Sequence, residues 1–238
     1  MYKGKTLVVA GCSHVYGSFL DQLLPEQAHK RSWVNKLLAK ANFEKHVNLG
    51  SPGGSNQRSF RMIREYVLKN LATIKDTVIM IGLTELARCE LPSLDYAYIN
   101  PDRSFKDPKY HMNLLGPFNI GEENKFKNFI ETFYGVFNVD EHNIKMINLE
   151  LISIHLFLKH FEIEHYFPSM LVPSTVLDTS PLKLPIIIFE QWPAIDYAKR
   201  NGFKVGKEID SSFDCNHLDH DGNDFIADYI LKEMSNVQ

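Results

Sequence analysis

Residues 6–17 read TLVVAGCSHVYG: Thr6-Leu7-Val8-Val9-Ala10, then Gly11-Cys12-Ser13-His14-Val15-Tyr16-Gly17. Four consecutive apolar residues suit a strand buried on both faces, as in a parallel sheet. The run stops at a glycine, and a polar turn leads into helical periodicity carried by Leu20, Leu23 and Leu24 and then by Trp33, Leu37 and Leu38. The rest of the chain repeats this unit. A short strand over 46–49 closes at the turn residues 50–54, and the strand 76–81 ends at Gly82. Between them, Ser55 or Asn56 caps a helix whose apolar face is Phe60, Ile63, Val67, Leu71 and Ile74. A helical region over 126–160, broken near 138–140, precedes a fourth strand at 164–170. Residues 185–189 read as a strand or a docked loop. A last helix carries Phe225, Ile226, Tyr229, Ile230 and Met234 on one face. Strand and helix in alternation predict one α/β layer sandwich with right-handed crossovers, spanning 1–238 as a single domain. Residues 92–121 break the pattern with prolines, tyrosines and charges, and read as a lid or insertion.

Composition narrows the function classes. Of 238 residues, 44% are hydrophobic and 23% charged, which excludes a disordered, collagen-like or coiled-coil chain. The 26 Lys and Arg stand against 29 Asp and Glu, so the basic excess of a nucleic-acid binder is missing. Cys12, Cys89 and Cys215 are too few and too scattered for a disulfide framework or a zinc ribbon, and read as reduced thiols. The apolar run after Met1 is too short for a signal-peptide core, and no stretch approaches the roughly 18 apolar residues of a membrane span. The expectation is a soluble cytoplasmic protein with no membrane partner.

In open α/β sheets, ligands bind beyond the carboxyl ends of the strands. Four loops therefore matter. The first places Ser13 after a strand with two residues between, at a helix start where backbone N–H groups favour negative charge. That suits a nucleophile whose attack creates an oxyanion; a helix-capping serine is the competing reading. The last loop holds Asp214 and His217, spaced so that the carboxylate orients the imidazole and the imidazole serves Ser13 as general base. His217, Asp219, His220 and Asp221 are alternatively metal ligands, and Asp221 a cap for the last helix. The second loop, Asn48-Leu49-Gly50-Ser51-Pro52-Gly53-Gly54-Ser55-Asn56, lets backbone approach a ligand closely and offer an N–H. It lacks the Gly-Lys-Ser/Thr ending of a phosphate loop. The third, Gly82-Leu83-Thr84-Glu85, adds polar groups to the same rim or caps a short helix. His14 reads as turned away from the site, and His155 and His160 as core-edge residues.

Together these blocks resemble the SGNH (GDSL-like) hydrolase superfamily. Gly11-Cys12-Ser13 with Gly17 is similar to its Gly-Asp-Ser block, with Cys12 where the family commonly has Asp. Asn48, Gly50 and Gly53 match the second block, and Asp214-x-x-His217 the last. The wording of the first two blocks also resembles SGNH-like proteins encoded by bacteriophages. The resemblance implies a flavodoxin-like three-layer α/β/α sandwich with a central, mostly parallel sheet. It implies a cofactor-free serine esterase or acetylesterase acting on a small-molecule or carbohydrate ester. Carried over by position, Ser13 is nucleophile, His217 base and Asp214 its orienter. The Ser13 and Gly53 N–H groups form the oxyanion hole. The family's third donor, an asparagine, is replaced by Thr84, and Asn56 is placed to supply the missing amide. Glu85 and Arg88 are candidate substrate contacts. Because Thr84 departs from the pattern, an inactive binding or virion protein on the same fold is the alternative. A metal-dependent phosphoesterase using the 217–221 cluster is the third reading.

Overall fold

The computed structural model describes residues 2–17, 32–92, 111–114, 132, 140–178, 182–205 and 217–236. In chain order its elements are β1 (Thr6–Ala10), α1 (Ser13–Tyr16), α2 (Trp33–Ala41), β2 (Lys45–Asn48), α3 (Asn56–Lys69) and β3 (Thr77–Ile81). Then come β4 (Cys89–Pro92), β5 (His111–Leu114), α4 (Asp140–His160), β6 (Glu164–Pro168), β7 (Ile186–Ile187), α5 (Ala194–Arg200) and α6 (His220–Asn236). Five strands form a parallel sheet in the order β2-β1-β3-β6-β7. Thr6 lies opposite both Lys45 and Thr77, and Ala10 opposite Ile81, so the loops leaving β1, β2 and β3 emerge at one level.

Alternation along the strands sorts side chains into two cores. Leu7, Val9, Val78 and Met80 face Trp33, Leu37, Ile226 and Ile230 of α2 and α6. Val8, Ala10, Ile79 and Ile81 face Phe60, Ile63, Leu151 and Ile154 of α3 and α4. Helices therefore cover both faces, and the architecture is a three-layer α/β/α sandwich. The continuous apolar run at 7–10 follows from this, because neither face of β1 meets water.

The helix starts are chemical. Ser32 Oγ accepts from the Asn35 N–H at 3.4 Å and Ser55 Oγ from the Arg58 N–H at 3.1 Å, so Ser55, of the two expected candidates, caps α3. The α3 helix ends at Lys69, which leaves Leu71 exposed instead of on the apolar face. Residues 185–189 contribute only the two-residue β7. A second, two-stranded sheet reaches into the stretch 92–121: β4 pairs antiparallel with β5, Cys89 opposite Leu114 and Pro92 opposite His111. The remainder of 92–121, the segment bearing Leu20, Leu23 and Leu24, and the helix expected before 140 lie outside the described residues, apart from position 132.

Two buried polar groupings brace β6. At its start, Glu164 accepts from Tyr2 Oη (2.6 Å), Tyr166 Oη (2.9 Å) and Lys5 Nζ (2.7 Å). Burial alone would raise this carboxyl, but the hydrogen bonds outweigh it and hold the group below the usual range. Beside it, His165 Nδ1 lies 2.7 Å from the Ile163 carbonyl and its Nε2 2.9 Å from His155 Nδ1. Among the described residues, no helix is long and apolar enough to cross a membrane.

Candidate active site

The strand order places the site. From β1 the chain moves outward to β2, then crosses back over β1 to β3. The loops after β1 and β3 thus diverge and leave a crevice between them, the switch point where open α/β sheets bind ligands. Ser13 stands three residues past β1 and Thr84 three past β3.

Glycines allow these loops to interlock. A Cβ on Gly11 would strike the Val15 side chain and lie 2.9 Å from the Gly82 carbonyl; one on Gly54 would lie 2.9 Å from the Gly11 carbonyl. The Ser51 N–H donates to Gly11 O at 3.0 Å and the Gly82 N–H to Ala10 O at 2.9 Å. Asn48 clamps the first two loops: its Nδ2 donates to Val15 O at 3.0 Å and its Oδ1 accepts from the Gly50 N–H at 2.9 Å. Asn48 and Gly50 are therefore framework. Gly53 takes a left-handed φ of 69° at the tip of its turn, which glycine adopts without strain.

Ser13 opens α1 and is 8% exposed. Its Oγ donates to no other described residue, and neither its N–H nor that of Gly53 is bonded to the described backbone or side chains. Cys12, at the helix N-cap, is fully buried. Thr84 is also fully buried, and its Oγ1 has no hydrogen-bond partner among the described residues. Asn56 is used differently from the expectation. Its Oδ1 accepts from the Thr84 N–H and its Nδ2 donates to the Thr84 carbonyl, both at 2.9 Å. The amide holds the threonine backbone on both sides, so Asn56 positions Thr84. Glu85 and Arg88 pair with each other at 2.9 Å, the carboxylate exposed and the guanidinium mostly covered. Arg88 and Asn56 line a cleft of about 60 Å³ floored by Phe60, Leu86 and Ile147.

On the other side of the crevice, Leu218 bridges Val205 and the Asp219 N–H donates to Lys204 O at 3.1 Å, which anchors the loop carrying His217. The His217 ring stacks on His14, with centroids 4.4 Å apart and planes 26° from parallel. His14, expected to turn away, instead lies against His217: the short helix opened by Ser13 carries the next ring onto the loop before α6. Burial, and then the Arg88 guanidinium, push His217 down to about 4. His14 is lowered well below the ordinary histidine value by burial first, then by His217, Arg88 and Lys199. At neutral pH both rings are uncharged, the state a proton acceptor needs. Asp214 lies outside the described residues.

The 217–221 cluster disperses. Asp219 Oδ1 accepts from the Gly222 N–H at 2.7 Å, so Asp219, not Asp221, caps α6. His220 Nε2 accepts from Lys36 Nζ at 2.9 Å, and Asp221 is exposed beside it. Among the described residues, no three His, Cys, Asp or Glu side chains converge as metal ligands. Sequence reasoning also missed Asn223. Its Oδ1 accepts from the Trp33 N–H at 3.1 Å while its Nδ2 donates to Leu218 O and Asp219 O, joining the His217 loop to α2. The signal was a buried-face asparagine one turn into the last helix.

No protein-family model and no curated protein matches the chain. Solved structures do. A member of the lipolytic protein G-D-S-L family from Veillonella parvula superposes with TM-score 0.52 at 11% identity, covering 96% of this chain and 97% of that one. The psychrotrophic esterase EstA from Pseudoalteromonas sp., in a structure inhibited by monoethylphosphonate, gives 0.52 at 10%, covering 98% of each. TesA gives 0.51 at 11%, over 98% of this chain and all of that one. The chain thus has the three-layer fold of the GDSL-type hydrolases, and the likeness runs nearly end to end.

Proposed function

We propose that the protein is a serine hydrolase of carboxylic esters, with acetyl esters of small molecules or carbohydrates as the substrate class. The observation that carries this reading is the stacking of a neutral His217 on His14, the residue after Ser13, in a GDSL-type fold whose loops after β1 and β3 bear Ser13 and Thr84. Ser13 Oγ attacks the acyl carbonyl carbon and its proton passes to His217. The alcohol leaves with that proton, and a water deprotonated by His217 then cleaves the acyl-enzyme, returning the proton to Ser13 and releasing the acid. Asp214 orients the base. Among the described residues Ser13 Oγ makes no hydrogen bond, and its bond to the base closes as substrate fills the crevice.

The developing oxyanion is met by the Ser13 and Gly53 N–H groups and the Thr84 hydroxyl. A buried hydroxyl without a partner calls for an explanation, and a donor awaiting a substrate oxygen supplies one. Asn56 keeps Thr84 in place for it. Arg88, which lines the 60 Å³ cleft, and Glu85, which pairs with it, contact the substrate. Replacing Thr84 with the isosteric Val is expected to lower kcat by about 10²-fold with little change in KM, the mark of a donor used in the transition state. Steady-state kinetics on an activated acetyl ester check this.

The test of the reading is labelling by a fluorophosphonate, the probe class favoured by the phosphonate inhibition of the EstA neighbour. Wild type should label, Ser13→Ala should not, and EDTA should make no difference. A well-folded wild type that refuses the probe would exclude an activated serine and shift weight to a binding role.

A further inference from the structure

His14 has a ring in the site and no part in the reaction just described. It is 8% exposed. Its carbonyl accepts from Trp33 Nε1 at 2.9 Å, and Gly17 ends the helix three residues later with φ 87°. The turn that places Ser13 therefore also fixes this ring. Its open face is covered by the His217 imidazole at 4.4 Å, nearly parallel. Among the described residues, the titratable groups acting on it come from three other elements: His217 from the loop before α6, Arg88 from the loop after β3, and Lys199 from α5. Each opposes a proton on His14, so the ring is a neutral aromatic surface throughout the working pH range.

That surface matters because His217 becomes an imidazolium each time it takes a proton from Ser13 or from water. The cation forms in a buried place with a guanidinium nearby. The electron-rich face of a neutral ring attracts a cation held against it. A rigid ring also fixes the plane of the base, where a displacement of 1 Å costs about 10²-fold in rate.

We propose that His14 is a positioning residue for His217: a neutral aromatic plate that sets the plane of the base beside Ser13 and meets its transient positive charge with a π face. The proposal rests on the reading of His217 as the general base. It requires a ring at position 14 and requires no ring nitrogen.

The experiment compares wild type, His14→Phe, His14→Leu and His14→Ala in the full chain. Its readouts are fluorophosphonate labelling rates, kcat and KM on an activated acetyl ester, and thermal melts. Leucine fills the volume without a π face, so a packing loss in the alanine variant does not decide the outcome. His14→Leu and His14→Ala should lose about 10- to 100-fold in kcat and in labelling rate, with KM within about threefold of wild type. His14→Phe should recover to within about fivefold of wild type. Phe as impaired as Leu would overturn the aromatic-plate account, and so would Leu as active as wild type. A folded wild type without Ser13-dependent labelling would instead remove the serine mechanism, and the proposal with it.

Discussion

Replacing Ser13 with alanine is expected to lower kcat/KM for an activated acetyl ester by about 10⁴- to 10⁶-fold, the loss that follows removal of a nucleophile. His217→Ala should lose nearly as much, and the double variant scarcely more than either single one. Two residues that act as one proton-transfer unit do not contribute additively, since removing either already abolishes covalent catalysis. On the proposed mechanism Asp214→Asn should also fall steeply, because the orienting carboxylate that mechanism assigns to the imidazole would be gone. Cys12 is the neighbour that could confuse the result. It is fully buried at the helix N-cap, whereas Ser13 retains some exposure, so Cys12→Ala should keep most of the activity. The measurement is initial rate against enzyme concentration for the five variants, with melts to confirm folding. A Ser13→Ala protein within tenfold of wild type would reject the mechanism. Additive losses in the Ser13 and His217 variants would show that the two side chains do not work as a unit.

Much of this arrangement was readable from residue order. A four-residue apolar run ended by glycine requires a strand covered on both faces, and two such runs, with a short strand and helices between them, give a parallel sheet with its loops on one edge. The second-loop glycines read as places where backbone nears a ligand; what Gly50 and Gly54 allow here is the close approach of the loops to one another. What could not be read was which polar group turns toward which partner. Asn56 looked like a spare donor, but one side-chain amide matches a backbone N–H and C=O together, and Thr84 presents both. His14 looked like a helix-start residue facing away. Whether its ring meets His217 depends on how α6 and the Val205 to Leu218 bridge bring a distant loop over α1. Asp221 looked like the helix cap, and the helix starts one residue before it. Each miss concerns a rotation of about one residue around a helix start, which spacing alone does not determine. The β4–β5 pairing was not legible either, because its partners lie some twenty residues apart in sequence.

Acid should unfold this protein before it titrates its base out of action. His165 carries its proton on Nδ1, since the Ile163 carbonyl can only accept, and its Nε2 must therefore accept from His155 Nδ1. One extra proton on His165 forces His155 into its other tautomer, and a second has no place in the pair. Burial, with the neighbouring His155, pushes His165 down to about 4; His217 falls to about the same value and His14 lies well below the ordinary range. A histidine depressed in the folded state binds fewer protons there than in the unfolded chain. Stability therefore rises with pH between the folded and unfolded values, and is lost as pH falls from about 6.5 toward 4. A shift of this size corresponds to about 3 kcal/mol for His165 and about as much for His217. Two such losses are comparable to the roughly 5–15 kcal/mol total of an ordinary domain. Denaturant midpoints should accordingly drop steeply below pH 6.5. The decline in activity there should follow the fraction folded, and not a separate kinetic titration. His165→Asn keeps a donor for the Ile163 carbonyl and removes the titrating ring. It should cost stability at pH 7 but lose distinctly less between pH 6.5 and 4. An unchanged slope in that variant would mean that the acid sensitivity arises elsewhere.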